Sequence, residues 1–255
     1  MIANLHTHTP RCRHATGADE EYVLSAIDSG LKILGFSDHT PYWFSGDYYS
    51  HMRMYPQELP EYIESVLFLK EKYKNEIDIR LGLEVEYYPD FFPELLRHLK
   101  DTQIEYILLG QHWIGNEMNE PYCGAPTEDE TVLQRYCDQA IAAVETGLFT
   151  YLAHPDLIYY VGDPKIYAQH IRRLCRAAKS CDTPLEINLL GLRANRHYPH
   201  LPLWEIAAEE GCKVVIGSDA HQPGDVYLPD NEAQGLAIVE QFGLELITQP
   251  IIRNI

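Results

Sequence analysis

Short apolar runs rich in β-branched and aromatic residues recur along the whole chain. Each is followed by a polar loop and then by apolar positions at helical spacing. Residues 2–6 predict a first strand, and Asp19 is the expected cap of a helix reaching about Gly30, with Tyr22, Val23, Ala26 and Ile27 on one face. A second strand at 33–36 runs straight into Ser37-Asp38-His39, and an aromatic loop extends from Thr40 to Tyr55. Further strands are expected at 77–83, 106–109, 151–153, 185–188 and 213–217, with a short run at 245–247. Helices are expected over 57–75, 91–100, 128–146 (ended by Gly147), about 165–180, 202–210 and near 231–242, and a loop over 114–127.

Strict strand–helix alternation implies parallel strands, because each helix supplies the crossover. Seven or eight such units close most naturally as a TIM-like α/β barrel. No linker or composition break divides residues 1–255, so one domain is expected.

The polar residues at the strand ends carry the chemistry. His6 and His8, at i and i+2, would project from one strand face. His39, Glu84, His112, His154, Asp219 and His221 each follow closely on a predicted strand, and His14 sits in the first loop. Seven of the twelve histidines thereby reach the C-terminal mouth of the barrel, where active sites are built. Nine ligands exceed what one ion takes, and suit two or three divalent ions bridged by a carboxylate. Such a cluster suits hydrolysis of a phosphate ester. His98 and His170 read as solvent-facing helix residues, while His51, His197 and His200 stay unassigned.

Charge narrows the partners. With 20 basic against 38 acidic residues the formal charge is −18, the wrong sign for a general nucleic-acid binder. An anionic substrate then needs local arginines: Arg193 and Arg196 after the sixth strand, with Arg53 a third. A leaving alkoxide needs a proton from Asp38, Asp156 or a metal-bound water, with orientation of His39 an alternative role for Asp38. Glu86 would face the same way as Glu84 and bind a substrate amine. Six cysteines without CxxC spacing read as reduced thiols; Cys12, between His8 and His14, is placed to contact the site but reads first as a small filler. No run approaches the ~20 apolar residues of a membrane span, and the N-terminus lacks a basic n-region and apolar h-region, so a cytoplasmic protein is expected. Oligomeric state is not legible.

The set HxH at 6–8, His14, SDH at 37–39, GLE at 82–84, His112, AHP at 153–155 and SDAH at 218–221 resembles the PHP (polymerase and histidinol phosphatase) superfamily. Within it, HTPRCRHATG at 8–17 and EINLLGLRANRHYP at 186–199 are most similar to the histidinol-phosphate phosphatases. The resemblance implies a distorted (β/α)7 barrel with three divalent ions of Zn, Mn or Fe. It implies one ion on His6, His8, Glu84 and Asp219, a second on His14, His39 and His221, and a third on His112, His154 and the bridging Glu84. The implied reaction is hydrolysis of a phosphomonoester, L-histidinol phosphate first, by a hydroxide bridging the metals. Rival readings are another small phosphoester or phosphotyrosine, a nuclease, and a non-catalytic metal-binding module. Two departures, Gln111 before His112 and Leu189-Leu190 after Asn188, bear on substrate identity.

Overall fold

Helices carry the chain back between parallel strands in a computed structural model that describes residues 1–118, 121–253 and 255. Asn119 and Glu120, inside the expected loop 114–127, lie outside the described residues. The strands are β1 (Ala3–Asn4), β2 (Ile33–His39), β3 (Asp78–Val85), β4 (Tyr106–Leu109), β5 (Phe149–Leu152), β6 (Leu185–Asn188), β7 (Lys213–Gly217) and β8 (Glu245–Leu246). They pair in parallel in sequence order. Past β1 the chain bridges back to the seventh strand's continuation through Thr7 and Ala220, with the His8 amide donating to Ala220 O at 2.9 Å and the Ala220 amide to His6 O at 3.2 Å. β8 joins β7 only at its start, Lys213 beside Glu245. The mouth thus closes after seven strands, which is the distorted (β/α)7 barrel.

Strand alternation sorts the side chains. Ile107 and Leu109 pack into the large cluster shared with the helices, whereas Tyr106 and Leu108 join Leu5, Tyr151, Ala153 and Val215 in a separate one. Tyr106 lies across the strands, its hydroxyl donating to Leu5 O at 2.8 Å and shared with Phe36 O at 3.0 Å. Gly82 makes room for it: a Cβ there would come within 2.4 Å of the ring.

The helices are α1 (Asp19–Asp28), α2 (Leu59–Lys72), α3 (Phe92–Leu99), α4 (Glu130–Glu145), α5 (Pro164–Ser180), α6 (Leu189–Arg193), α7 (Leu201–Glu210) and α8 (Pro229–Phe242). Several expectations change. β2 and β3 run on to His39 and Val85, because the ligand-bearing residues keep pairing, His39 with Glu84. Asp19 does not cap α1. Ala18 holds that position with its amide on Glu21 Oε2, and the Asp19 carboxylate pairs with Arg11 and Ser65. The helix expected over 57–75 starts as a 3-10 turn at Pro56–Glu58 and stops at Lys72. α6 was not anticipated; Asn188 caps it, accepting from the Gly191 amide at 3.1 Å. His170 is buried between α5 and α4, facing Glu130, rather than open to solvent. All six cysteines are free. No helix among the described residues is long and apolar enough to cross a membrane.

Candidate metal centre

The barrel mouth is built by residues that end β-strands or follow directly on them. Glu84, near the end of β3, lies at its middle. Its Oε1 is 2.8 Å from His154 Nε2, 3.6 Å from His6 Nε2 and 3.9 Å from His112 Nε2. Its Oε2 is 2.9 Å from His39 Nδ1 and 3.5 Å from His8 Nε2. Asp219 answers from beyond β7: its Oδ1 is 3.2 Å from His8 Nε2, 3.3 Å from His221 Nδ1 and 3.6 Å from His6 Nε2. His14 completes the outer edge, its ring stacked on His221 with centroids 4.8 Å apart. All nine sequence-derived ligand candidates therefore surround one cleft.

The backbone bends to put them there. His154 (φ 30°) and Asp219 (φ 48°) adopt left-handed conformations immediately beyond their strands. For non-glycine residues that costs about 1–3 kcal/mol each and clusters at functional sites. Gly110 allows the central carboxylate in: a Cβ there would lie 1.9 Å from Glu84 Oε1.

The donor set fits divalent cations. Among the described residues, His6 Nε2, His8 Nε2, His39 Nδ1, Glu84 Oε2 and Asp219 Oδ1 are buried without a well-aligned hydrogen-bond partner. Buried polar atoms normally find partners, and these are imidazole nitrogens and carboxylate oxygens aimed at common points. The triads His6/His8/Asp219, His14/His39/His221, His6/Glu84/His154 and His8/His39/Glu84 each bring ligand atoms within 4.8 Å of one another. The carboxylates draw positive charge inward. Burial opposes a charged His8, yet Asp219, Asp38 and Glu84 outweigh it and raise its pKa to about 9. His39 goes the other way: burial, reinforced by His8 and His112, outweighs Glu84 and pushes it down to about 4, leaving it neutral as a ligand must be.

A layer of buried acids holds the imidazoles from behind. Asp38 Oδ1 lies 3.5 Å from His8 Nδ1, and its Oδ2 accepts from the Thr9 hydroxyl. Its Oδ1 also accepts from the His39 backbone amide at 2.8 Å, so the Asp38 carboxylate engages the His8 ring and the His39 main chain, and it does not line the cleft as a proton donor to a leaving group would. Glu86 accepts from His112 Nδ1 at 3.0 Å and is gripped by Arg53 at 2.8 and 3.0 Å. Fully buried, it cannot receive a substrate amine. Arg53, 1% exposed, spends its guanidinium on Glu86, Glu117 and Thr40 O, so it is not a phosphate clamp. Glu186 donates nothing and holds two ligand candidates: His6 Nδ1 gives to its Oε1 at 2.8 Å and the His154 amide to its Oε2 at 3.1 Å. Only its place in the Glu-Ile-Asn motif signalled it.

The cleft itself is about 370 Å³, walled by Met52, Trp113, Tyr122, Leu190, Arg196 and Tyr198 beside the histidines. Arg196 is the arginine that reaches it, with Nη1 donating to the Tyr198 hydroxyl at 2.8 Å. Arg193 turns away, donating to Ser218 O and Asp219 O, both at 3.2 Å, and pairing with Asp225. Asp156 is sealed beneath the surface, its Oδ2 accepting from the His200 amide at 2.6 Å. Burial raises its pKa to about 7, but it does not line the cleft and is not the acid.

A parallel barrel that gathers imidazoles around two buried carboxylates defines a metal-dependent hydrolase. The PHP domain family matches residues 4–189, and the chain belongs to that family. It is 33% identical over 236 residues to the probable histidinol-phosphatase of Deinococcus radiodurans, covering 88% of this chain and 88% of that protein. It is also 27% identical over 252 residues to the histidinol-phosphatase of Bacillus subtilis, 87% of this chain and 94% of that one. Among solved structures, it shares its fold with a histidinol phosphate phosphatase from Lactococcus lactis complexed with zinc, L-histidinol and phosphate. That match has a TM-score of 0.75 and 18% identity, covering 96% of this chain and 95% of the other.

Proposed function

We propose that this chain is a histidinol-phosphatase, hydrolysing L-histidinol phosphate to L-histidinol and inorganic phosphate with three divalent ions. The observation that carries the reading is Glu84, whose two oxygens face five imidazoles at the floor of a small cleft. The similarity to curated histidinol-phosphatases over nearly the full length of both chains supports the choice of substrate.

In this reading His6, His8, Glu84 and Asp219 hold one ion, His14, His39 and His221 a second, and His112, His154 and Glu84 a third. Ions bound there would neutralise phosphate oxygens and lower the pKa of a water for in-line attack. The chain's own residues do the rest. Arg196, oriented by Tyr198, presents a guanidinium to the phosphate, the local positive group that a chain of net charge −18 needs for an anionic ligand. Glu186, Asp38 and Glu86 fix the ring orientations of His6, His8 and His112. Met52, Trp113 and Leu190 narrow the cleft to about 370 Å³, which accommodates a small monoester and disfavours a phosphoprotein or a nucleic-acid strand.

The test is phosphate release from L-histidinol phosphate beside phosphotyrosine, a sugar phosphate and a nucleotide, with metals counted on the same sample. Chelator-sensitive turnover with at least a tenfold preference for histidinol phosphate is expected. Equal rates on all four would remove the substrate assignment, and turnover indifferent to complete metal removal would remove the mechanism.

A further inference from the structure

Arg53 is a buried cation held between two buried carboxylates, and none of the three is a ligand candidate. Its Nη1 and Nη2 take the two oxygens of Glu86 at 2.8 and 3.0 Å, its Nε takes Glu117 Oε2 at 2.9 Å, and its Nη1 also donates to Thr40 O at 2.9 Å. The rings of Tyr42 and Tyr88 flank it at 5.5 and 5.9 Å. Burying three charges is expensive, and an apolar cluster of the same volume would serve stability at least as well. What an apolar cluster would not provide is a fixed acceptor for His112. Glu86 Oε1, held by Arg53 Nη2, also takes His112 Nδ1 at 3.0 Å, and so sets the ring whose Nε2 faces Glu84. The same guanidinium spans three segments of the mouth: its own loop with the cleft residue Met52, the end of β3, and the loop of Glu117 that also bears Trp113 and Tyr122.

We infer that Arg53 is a positioning residue: it clamps Glu86 against His112 and, through Glu117, ties the Met52 wall of the cleft to the Trp113–Tyr122 wall. This rests on reading His112 as a metal ligand. Two consequences follow from the geometry. Loosening Arg53 weakens the ion held by His112 more than the others, and it widens the cleft.

The experiment measures metal content of the holoenzyme against rising chelator for wild type and Arg53→Lys, together with kcat and KM. Lysine keeps the charge but cannot make the forked, multiply bonded clamp. Arg53→Lys is expected to release one ion with about 10–100-fold weaker affinity, the usual effect of losing a partner behind a ligand, while the remaining ions stay and KM rises. Excess metal should restore kcat but not KM. Retention of every ion as in wild type, or loss of all ions alike from a folded protein, overturns the inference. Should Arg53→Lys fail to fold, Glu86→Gln carries the metal arm. It keeps the shape and the Arg53–Glu117 pair, and is expected to lose the same single ion; wild-type retention there also overturns the inference. A wild-type protein that binds no metal would instead sink the functional reading on which this one stands.

Discussion

Glu186 Oε1 lies 2.8 Å from Nδ1 of His6, with both side chains fully buried. The contact leaves His6 Nε2 as the nitrogen facing Glu84 and Asp219, so one carboxylate sets both the tautomer and the direction of a candidate ligand. Glu186→Gln keeps an acceptor but loses the charge. We expect about 10–100-fold weaker metal binding with the fold retained, measured by chelator competition and circular dichroism. Unchanged affinity would show that His6 needs no such support.

Glycine sets a second limit. At Gly110 a Cβ would sit 1.9 Å from Glu84 Oε1, and at Gly217 it would sit 1.8 Å from Glu186 Oε1. Gly110→Ala is therefore expected to displace the central carboxylate and cut both metal content and activity by at least tenfold. At Gly224 nothing lies within 4 Å of an added Cβ, so Gly224→Ala is the matched control and should behave as wild type. Full metal loading in Gly110→Ala would mean that Glu84 is not the shared carboxylate.

Much of this centre was legible because its donors directly follow strand-like apolar runs, and parallel strands bring their C-terminal ends together. The ligand candidates needed nothing more than position. The supporting residues did not yield to the same reasoning. Asp38 precedes His39 in the chain, but successive strand residues face opposite ways, and it meets the His39 backbone amide and the His8 ring rather than the His39 ring. Arg193 and Arg196 sit three positions apart in one segment, yet α6 turns the first onto the backbone of 218–219 and leaves the second at the cleft. Arg53 reads in the sequence as a candidate for the anionic substrate because only the folded structure shows Glu86 and Glu117 closing around it. Sequence order reports which strand end a residue follows; it does not report which way a side chain turns once there.

Asp156 gives a pH signature unrelated to turnover. Burial raises its carboxyl from 3.8 to about 7 in the folded chain. Between those values the folded state holds a proton that the unfolded state has released, so this group's stabilising contribution is full below about pH 3.8 and falls as pH rises towards 7. Asp156→Asn keeps an oxygen for the His200 amide and removes the titration. Its stability relative to wild type, from urea melts of chelated protein, should rise with pH across that window and level off above it. A difference independent of pH would show that Asp156 titrates normally in the folded state.

The two arginines of the 193–196 segment should separate binding from stability. Arg193 donates to two backbone carbonyls beside Asp219 and pairs with Asp225, so Arg193→Gln leaves partly buried acceptors unmatched. A stability loss of about 1–3 kcal/mol is expected, as for other buried acceptors deprived of a donor. Among the described residues the Arg196 guanidinium has one hydrogen-bond partner, the Tyr198 hydroxyl, which leaves most of its donors for an anion. Arg196→Gln should therefore melt like wild type and lose about 10–100-fold in kcat/KM on a phosphomonoester, the worth of a charged hydrogen bond. Inorganic phosphate should inhibit it correspondingly less. Because both substitutions remove the same charge from the same short segment, a general electrostatic effect on anion capture would lower kcat/KM equally in the two variants. Only direct contact makes Arg196 the larger loss, and equal losses would dismiss it as the clamp.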